Sequence, residues 1–130
     1  MTLEMPKQIH DVASAPAPVG PYSVATEANG FVFVSGQVGI DPATGSVAPG
    51  GAAAEARQIM SNVGAILGEL GLGYEDIVKA TIFVTDIGEF AAINEAYGSF
   101  VASSKPARST VQVAALPLGV SVEIEVLAAR

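Results

Sequence analysis

The strongest constraint on the fold is a strict alternation near the end of the chain, in the run VSVEIEV at residues 120–126. Apolar side chains occupy one parity of this run, while a serine and two glutamates occupy the other. Because successive side chains of a strand point to opposite sides, the alternation predicts a sheet with one buried face and one polar face. The polar face meets either water or another subunit, and the pattern leaves both open.

Two segments with helical periodicity predict what covers the buried face. Residues 51–70 carry apolar side chains at spacings of three and four, and Gly71 follows as a left-handed C-terminal cap. Asp86 and Glu89 resemble a capping box before a second apolar stripe, which predicts a helix over residues 87–102.

The strand signals complete the predicted order of elements. Strands are predicted over residues 22–27, 31–38, 76–85, 107–115 and 120–128. Asn29-Gly30 predicts a type I′ hairpin turn, residues 41–45 a second turn, and residues 1–15 an irregular lead-in. The order β-β-α-β-α-β-β predicts one α+β domain over residues 1–130, with both helices on one sheet face.

The charge and cysteine content narrow the function classes. The net charge is −7 with only six Lys plus Arg, which argues against a nucleic-acid partner because such binding needs basic clusters. The chain has no cysteine, and therefore neither a disulfide nor a thiolate nucleophile. The sequence shows no signal-peptide pattern and no apolar run near the ~18 residues of a membrane span, so we expect a cytoplasmic protein without a membrane partner.

Arg108 is the strongest candidate for chemistry, because it is the only arginine in a strand-like run. It shares strand parity with Thr110 and Gln112, so we expect these side chains on the polar sheet face, together with Glu123. A guanidinium binds a carboxylate or a phosphate through two parallel hydrogen bonds. The alternative role is a structural salt bridge to a neighbouring glutamate.

The other polar candidates each have a functional and a structural interpretation. Glu123 can position or deprotonate a water, or it can be a solvated surface residue. The Tyr22 phenol can donate to a substrate oxygen, or the ring can pack in a core or an interface. Ser35 and Gly36 allow a ligand near the backbone, or they mark a bulge or a strand end. Asn94 by itself is interpreted as a surface or capping residue.

Three features of the sequence carry no chemistry in this interpretation. His10 has no acid and nucleophile pattern around it, so it is assigned no role. No His, Asp or Glu cluster has the spacing of metal ligands, so we expect no metal. The run GELGLG at residues 68–73 ends a helix instead of opening one after a strand, which argues against a phosphate-binding loop.

The ordered set of segments resembles the RidA family, also called the YjgF/UK114 family. The matching segments are VGPYS at 19–23, VSGQV at 34–38, EARQIMSNVGAIL at 55–67, DIVKATIFVTDIGEFAAINEAY at 76–97, PARSTVQVAALP at 106–117 and VEIEV at 122–126. The resemblance implies a chorismate-mutase-like (YjgF-like) fold, with a mixed β-sheet and two helices packed on one face. It also implies a homotrimer with ligand sites between subunits. The last strand should then insert between earlier strands instead of forming a hairpin across LPLG.

The resemblance implies an activity and a set of site residues. Members of the family hydrolyse reactive enamine and imine intermediates, such as 2-aminoacrylate, to 2-keto acids and ammonia, without a cofactor or a metal. Arg108 matches the residue that binds the substrate carboxylate, Glu123 the acid that positions the attacking water, and Tyr22 a tyrosine that lines the cleft. Further residues match the substrate-binding cleft: Ser35, Gly36, Asn94 and Thr110.

Two departures from the family pattern bear on this function. Thr110 stands where many members have cysteine, and we expect activity to persist because imine hydrolysis does not need a thiol. Residues 98–105 form a shorter segment than is typical of the family, which bears on the range of substrates.

Alternative functions stay open from the sequence. One is a regulatory trimer that binds 2-keto acids without turnover, and another is a specialised deaminase of aminomuconate or pyrimidine catabolism. A third is an endoribonuclease or translation inhibitor, against which the net charge of −7 argues.

Overall fold

The first strand lies in a segment for which the sequence predicts no regular structure. The computed structural model describes residues 6–130, so residues 1–5 of the predicted lead-in lie outside the described residues. Strand β1, Gln8–His10, pairs antiparallel with β2, Ala25–Ala28. The prediction of an irregular lead-in is wrong here, because pairing with a neighbouring strand orders a run that is too short to show its own alternation.

Strands β2 and β3 form the predicted hairpin. Strand β3 spans Phe31–Gln37, and the turn places Asn29 and Gly30 at φ values of 53° and 80°. Positive φ at both central residues defines the type I′ turn, whose twist matches that of the strands. Strand β2 begins later than predicted because the N–H of Tyr22 donates to the Gly20 carbonyl at 2.8 Å, which turns the chain before the strand.

A separate two-stranded sheet follows the hairpin. Strand β4, Ile40–Asp41, pairs antiparallel with β5, Ser46–Val47. The predicted turn between them is closed by the N–H of Gly45, which donates to the Asp41 carbonyl at 2.8 Å. Gly45 has a φ of 73°, a conformation that glycine adopts without a steric penalty. The turn leads the chain from the sheet towards the first helix.

The first helix, α1, spans Ala52–Glu69 and ends as the sequence predicts. Gly71 has a φ of 75°, and the N–H of Leu72 donates back to the Leu67 carbonyl at 2.8 Å. This is the Schellman arrangement, in which a left-handed residue satisfies carbonyl groups that the helix end leaves free.

The second helix, α2, spans Phe90–Val101 and begins later than the predicted residue 87. A single 3₁₀ turn, Ile87–Glu89, precedes it. The carboxylate of Asp86 accepts a hydrogen bond from the Gly88 N–H at 2.8 Å, so Asp86 caps the turn. Such a tighter turn is common at the start of an α-helix.

The remaining strands complete a six-stranded sheet. Strands β6, Ile77–Val84, β7, Ala107–Gln112, and β8, Val122–Ala129, give the spatial order β1-β2-β3-β8-β6-β7. Strand β8 is antiparallel to both of its neighbours, β3 and β6. Strands β6 and β7 are parallel and are connected through α2. Strand β7 is last in the spatial order, so it forms one edge of the sheet. The LPLG segment is therefore not a hairpin turn.

One face of the sheet packs against both helices and forms the core. Its alternate β8 side chains, Val122, Ile124 and Val126, are buried, as the sequence predicts. Helix α1 contributes fully buried side chains such as Ile59 and Leu67. The opposite face, here called the open face, exposes large apolar side chains: Ile9, Phe31, Phe33 and Val111. Exposed apolar side chains in this number mark a surface that a partner can cover.

A single carboxylate connects both ends of the described chain. Glu27 of β2 accepts from the Arg130 Nε at 2.7 Å and contacts the His10 Nε2 at 2.8 Å. Arg130 also donates to the Leu70 carbonyl, beyond the end of α1, at 2.7 Å. The Arg130 hydrogen bond and then that of His10 lower the pKa of Glu27 to about 2. His10 therefore has a structural contact here.

Candidate functional site

The strand registers separate the two strongest candidates. Arg108 pairs with Ala80 of β6, which is buried beneath the helices, whereas Glu123 pairs with Phe83 on the open face. Neighbouring residues in register point to the same side of a sheet. The expectation that Arg108 and Glu123 share the polar sheet face is therefore wrong. Parity shows which residues share a face, but it does not show which face they share.

Side chains of α2 hold Arg108 on the helix-covered face, at the edge of the sheet that β7 forms. Its Nη1 donates to the Oδ1 of Asn94. Its Cζ lies 5.2 Å from the centroid of the Phe90 ring and 5.6 Å from that of Tyr97. Both distances are within the range of a cation–π contact. The guanidinium is thus oriented from α2 while retaining further N–H donors.

The sequence interpretation missed Phe90 and Tyr97, although the signal was present. Phe90, Asn94 and Tyr97 lie four and three residues apart along α2, so they share one side of the helix. Asn94, interpreted alone as a surface or capping residue, has its side-chain oxygen on Arg108. This cluster could have been identified from two aromatic residues and an asparagine on one side of a helix, directly before a strand that contains an arginine.

Two buried hydroxyl groups accompany Arg108. Within residues 6–130, neither the Tyr97 hydroxyl nor the Thr110 Oγ1 has a hydrogen-bond partner. Burial raises the pKa of Tyr97, while the nearby Arg108 charge acts in the opposite direction. Thr110 is in register with the buried Ile82, so its side chain lies on the same sheet face as Arg108. A buried hydroxyl without a partner is costly, so both groups are available to an added acceptor or donor.

Glu123 lies in an open cleft of about 650 Å³ at the junction of β3, β8 and the loop before β2. The cleft is lined by three further predicted site residues: Tyr22, Ser35 and Gly36. A Cβ placed on Gly36 would lie 2.8 Å from the Cδ of Glu123, closer than real Cβ atoms approach. Glycine is therefore what lets the Glu123 carboxylate rest against β3.

Ser35 fixes the wall of this cleft. Its Oγ donates to the Ser23 carbonyl at 2.6 Å, and its N–H donates to the Val24 carbonyl at 2.9 Å. The register of β3 shifts between Val34 and Gln37, which places Ser35 and Gly36 in a bulge. The bulge and these two hydrogen bonds hold the loop that carries Tyr22, so Ser35 acts here as a positioning residue.

The electrostatics of the cleft favour a protonatable acid. Burial raises the pKa of Glu123, and the charge of Glu125 raises it further. Both carboxylates line the cleft, and no Lys or Arg of the described chain lines it with them. A carboxyl group whose pKa rises towards the working pH can both accept and return a proton.

Within residues 6–130, no group of three or more His, Cys, Asp or Glu side chains is arranged to hold a metal ion. No helix in the same part of the chain is long and apolar enough to cross a membrane.

Fold and site together define a small α+β protein with two separate polar groups. The Arg108 guanidinium lies on an edge strand and contacts a helix, and the Glu123 carboxylate lies in a cleft on the opposite face of the sheet. Residues 12–130 match the family model described as Endoribonuclease L-PSP. A Capra hircus protein named 2-iminobutanoate/2-iminopropanoate deaminase is 45% identical over 124 residues, covering 95% of this chain and 90% of that protein. A RutC family protein of Aquifex aeolicus is 52% identical over 118 residues, covering 89% of this chain and 94% of its own length.

A solved structure shows the same fold at a similar sequence identity. The crystal structure of E. coli TdcF with bound serine has a TM-score of 0.87 and 41% identity, covering 95% of this chain and 98% of that chain. The chain belongs to the RidA family, as its sequence indicates. The predicted fold class, a mixed sheet with two helices on one face, is confirmed.

Proposed function

We propose that the protein is a hydrolytic deaminase that converts enamine and imine intermediates, such as 2-aminoacrylate and other 2-imino acids, to 2-keto acids and ammonia. The observation that carries the proposal is the guanidinium of Arg108, held by Asn94 and two aromatic rings with donors left for a carboxylate. The Capra hircus relative named as a deaminase supports it. The ligand named for TdcF is serine, which carries the α-carboxylate that such an anchor needs.

The proposed mechanism uses two residues of the chain directly. Arg108 binds the substrate carboxylate through two parallel charge-assisted hydrogen bonds. Glu123 accepts a proton from a water as that water attacks C2 of the C=N bond. The glutamic acid returns this proton to the nitrogen, which gives the neutral carbinolamine. Glu123 then takes the proton of the new hydroxyl group and passes it to the nitrogen as the C–N bond breaks, and the products are the 2-keto acid and ammonia. The imine carbon is already electrophilic, so positioning and general acid–base catalysis supply the rate increase.

The proposed active site is completed between subunits of a homotrimer. Arg108 and Glu123 lie on opposite faces of the same sheet, so they cannot meet on one substrate within one chain. An edge strand β7 from one copy, laid beside the cleft of another, brings the two groups together. The apolar side chains of the open face supply the surface that such an assembly buries.

The other cleft residues have supporting roles in this proposal. Tyr22 lines the cleft and directs its hydroxyl to the substrate, while Ser35 and Gly36 set the position of that wall and of Glu123. Thr110 offers its free hydroxyl beside the bound carboxylate. We also propose that the protein acts in the cytoplasm, where reactive imines arise during amino-acid metabolism.

The direct test is the release of ammonia and keto acid from imines that an amino-acid oxidase generates in situ. We expect the wild-type protein to accelerate release and the Arg108→Ala variant to lose the acceleration. Arg57→Ala, which removes an exposed arginine of α1, is the matched control and should behave as wild type. Keto-acid binding without acceleration, by wild type of confirmed trimeric mass, would replace the enzyme with a binding protein.

A further inference from the structure

The turn that leads into β8 contains an unusual residue, Leu118. Its backbone has a φ of 61° and a ψ of 15°, in the left-handed region that leucine rarely adopts because Cβ approaches the following carbonyl oxygen. Gly119 follows with a φ of 67°. The Leu118 side chain is 74% exposed, so its burial within the described chain does not explain the conformation.

The turn itself does not require a leucine. The N–H of Gly119 donates to the Leu116 carbonyl at 3.3 Å, and the N–H of Val120 donates to the Pro117 carbonyl at 3.2 Å. These backbone groups would close the same turn around a glycine or an asparagine, which adopt the left-handed region at lower cost. Backbone strain of this kind persists where a side chain is needed in one place.

The place that Leu118 reaches is the Glu123 cleft. Leu118 lines this cleft together with Pro117, with Val19, which is 97% exposed, and with the ring of Tyr22. The charged side chains of the described residues in the cleft are Glu123 and Glu125, both acidic. The cleft thus combines an apolar wall with two carboxylates, a combination that accepts an uncharged aliphatic group and repels an anionic one.

We propose that Leu118 is a specificity-determining residue that contacts the aliphatic side chain of the 2-imino acid substrate. This inference rests on the proposed function, and it deepens it by naming the residue that contacts the side chain of the substrate. The C2 atom of a 2-imino acid carries three groups: the nitrogen, the carboxylate and the side chain. With the carboxylate on Arg108 and the C=N carbon beside Glu123, the side chain is the group left to occupy the apolar wall.

The test compares imines generated from leucine and from alanine, which differ only in the length and branching of the side chain. One apolar methylene in a pocket changes kcat/KM by about 10- to 200-fold, so we expect Leu118→Gly to lower kcat/KM about 30-fold for the leucine imine and less than about threefold for the alanine imine. Leu118→Asn should do the same, because it keeps the backbone conformation but is polar. Leu118→Met should restore the preference of the wild type.

A stability measurement separates this role from a structural one. Leu118→Gly relieves the left-handed strain, so its Tm should rise by about 2 to 5 °C while its substrate preference falls. Ile87→Ala, at another exposed apolar side chain far along the sequence from the cleft loops, is the control, and both substrates should react as with wild type.

An unchanged leucine-to-alanine preference in both Leu118→Gly and Leu118→Asn would overturn the inference while leaving the deaminase intact. Dissociation of the assembly by both variants, measured as mass in solution, would also overturn it and assign Leu118 to a subunit contact. If the wild type hydrolyses neither imine, the deaminase fails. Calorimetric binding of 4-methyl-2-oxopentanoate and pyruvate to the same variants then decides the side-chain contact independently.

Discussion

The two parts of the candidate site, the Arg108 cluster and the Glu123 cleft, are built in opposite ways. Side chains of α2 fix Arg108 in place. Its Nη1 donates to the Asn94 side-chain oxygen, and its Cζ lies 5.2 Å and 5.6 Å from the centroids of the Phe90 and Tyr97 rings. Glu123 instead lies in an open cleft of about 650 Å³, with a glycine beneath its carboxylate and a proline-rich loop as a wall. A preset guanidinium suits binding, because little freedom is lost when the ligand arrives. A carboxylate in an open cleft, with a pKa raised by burial and by Glu125, suits chemistry on water.

In the proposed deaminase neither part is sufficient alone. The Arg108 cluster supplies a cation and two hydroxyls without hydrogen-bond partners, whereas the charged side chains of the described residues that line the cleft are acidic. The sheet lies between them. An active site assembled from both therefore depends on contacts between copies, and each part can be removed separately.

The largest expected effect comes from mixing two inactive variants. Arg108→Ala should lower kcat/KM about 1000-fold, because two charge-assisted hydrogen bonds of about 1.5 to 3 kcal/mol each are lost. Glu123→Gln should lower kcat about 100- to 10,000-fold. If the variants are refolded together in equal amounts, random assembly gives about one quarter of the sites an intact Arg108 and an intact Glu123.

The recovered activity is measured against each variant refolded alone. Mixing the Arg108→Ala variant with the double variant, which lacks both groups in one chain, is the control and should recover nothing. An absence of recovery in mixed assemblies of confirmed composition would contradict a site shared between subunits.

The next effect concerns protonation in the cleft. Glu123 acts as a base when ionised, and burial together with the Glu125 charge raises its pKa, so activity should fall as the pH drops through this raised value. Glu125→Gln removes one of the two causes and should move the acidic limb of the kcat/KM profile to lower pH. Lys79 lines a neighbouring hollow with Glu125. Its positive charge offsets part of the Glu125 charge, so it should limit how far the acidic limb moves.

A pH–rate profile between about pH 4 and pH 9 measures this limb directly. Glu75→Gln removes an exposed carboxylate outside the cleft and should leave the limb in place. A limb that stays fixed in Glu125→Gln would mean that another group controls the acidic side of the profile.

A smaller effect tests the hydrogen bond between Asn94 and the Arg108 guanidinium. Asn94→Ala removes the amide that accepts from Arg108 and should raise KM about 10-fold, the cost of one hydrogen bond to a charged group, with a smaller change in kcat. Asn94→Ser keeps an oxygen acceptor without adding a charge and should lose less affinity than Asn94→Ala. Glu95→Ala alters the adjacent position of the same helix and serves as the control. Equal losses of kcat in all three variants would indicate damage to α2 instead.

The smallest expected effect lies far from both parts of the site. Glu27 has its pKa lowered from 4.5 to about 2 by Arg130 and His10. The stability from this pairing is therefore fully present above pH 4.5 and is lost as the pH falls through about 2. The urea midpoints of wild type and Glu27→Gln should differ more at neutral pH than near pH 3, while kcat/KM at neutral pH stays the same. A difference that is constant with pH would exclude the ionic contribution.

Much of the fold follows from the sequence because it depends on local periodicity. The two helices and the buried parity of residues 122–126 come from spacing, and the type I′ turn comes from the local preference of Asn29-Gly30 for positive φ. Strand β1 does not, because three residues show no period and acquire their structure from β2. The positions of strand ends also depend on local turns, such as the one that delays β2.

The site was less predictable for a geometric reason. The period of a strand groups Arg108 with Thr110, but only the register with Ala80 places both on the helix side of the sheet. An edge strand is poorly covered by the helices, so polar side chains there can lie on the same face as the core. The role of Asn94 follows from the same geometry, because α2 packs where β7 presents its arginine.

The central position of β8 has a consequence for how the protein is made. Residues 122–129 are translated after all the other strands, yet they lie between β3 and β6. Until they leave the ribosome, both of those strands carry an unpaired inner edge, and the nascent chain presents two templates for association with other chains. Sheet closure is therefore a late, non-local event, and a premature stop before β8 leaves two halves of a sheet with no strand to join them.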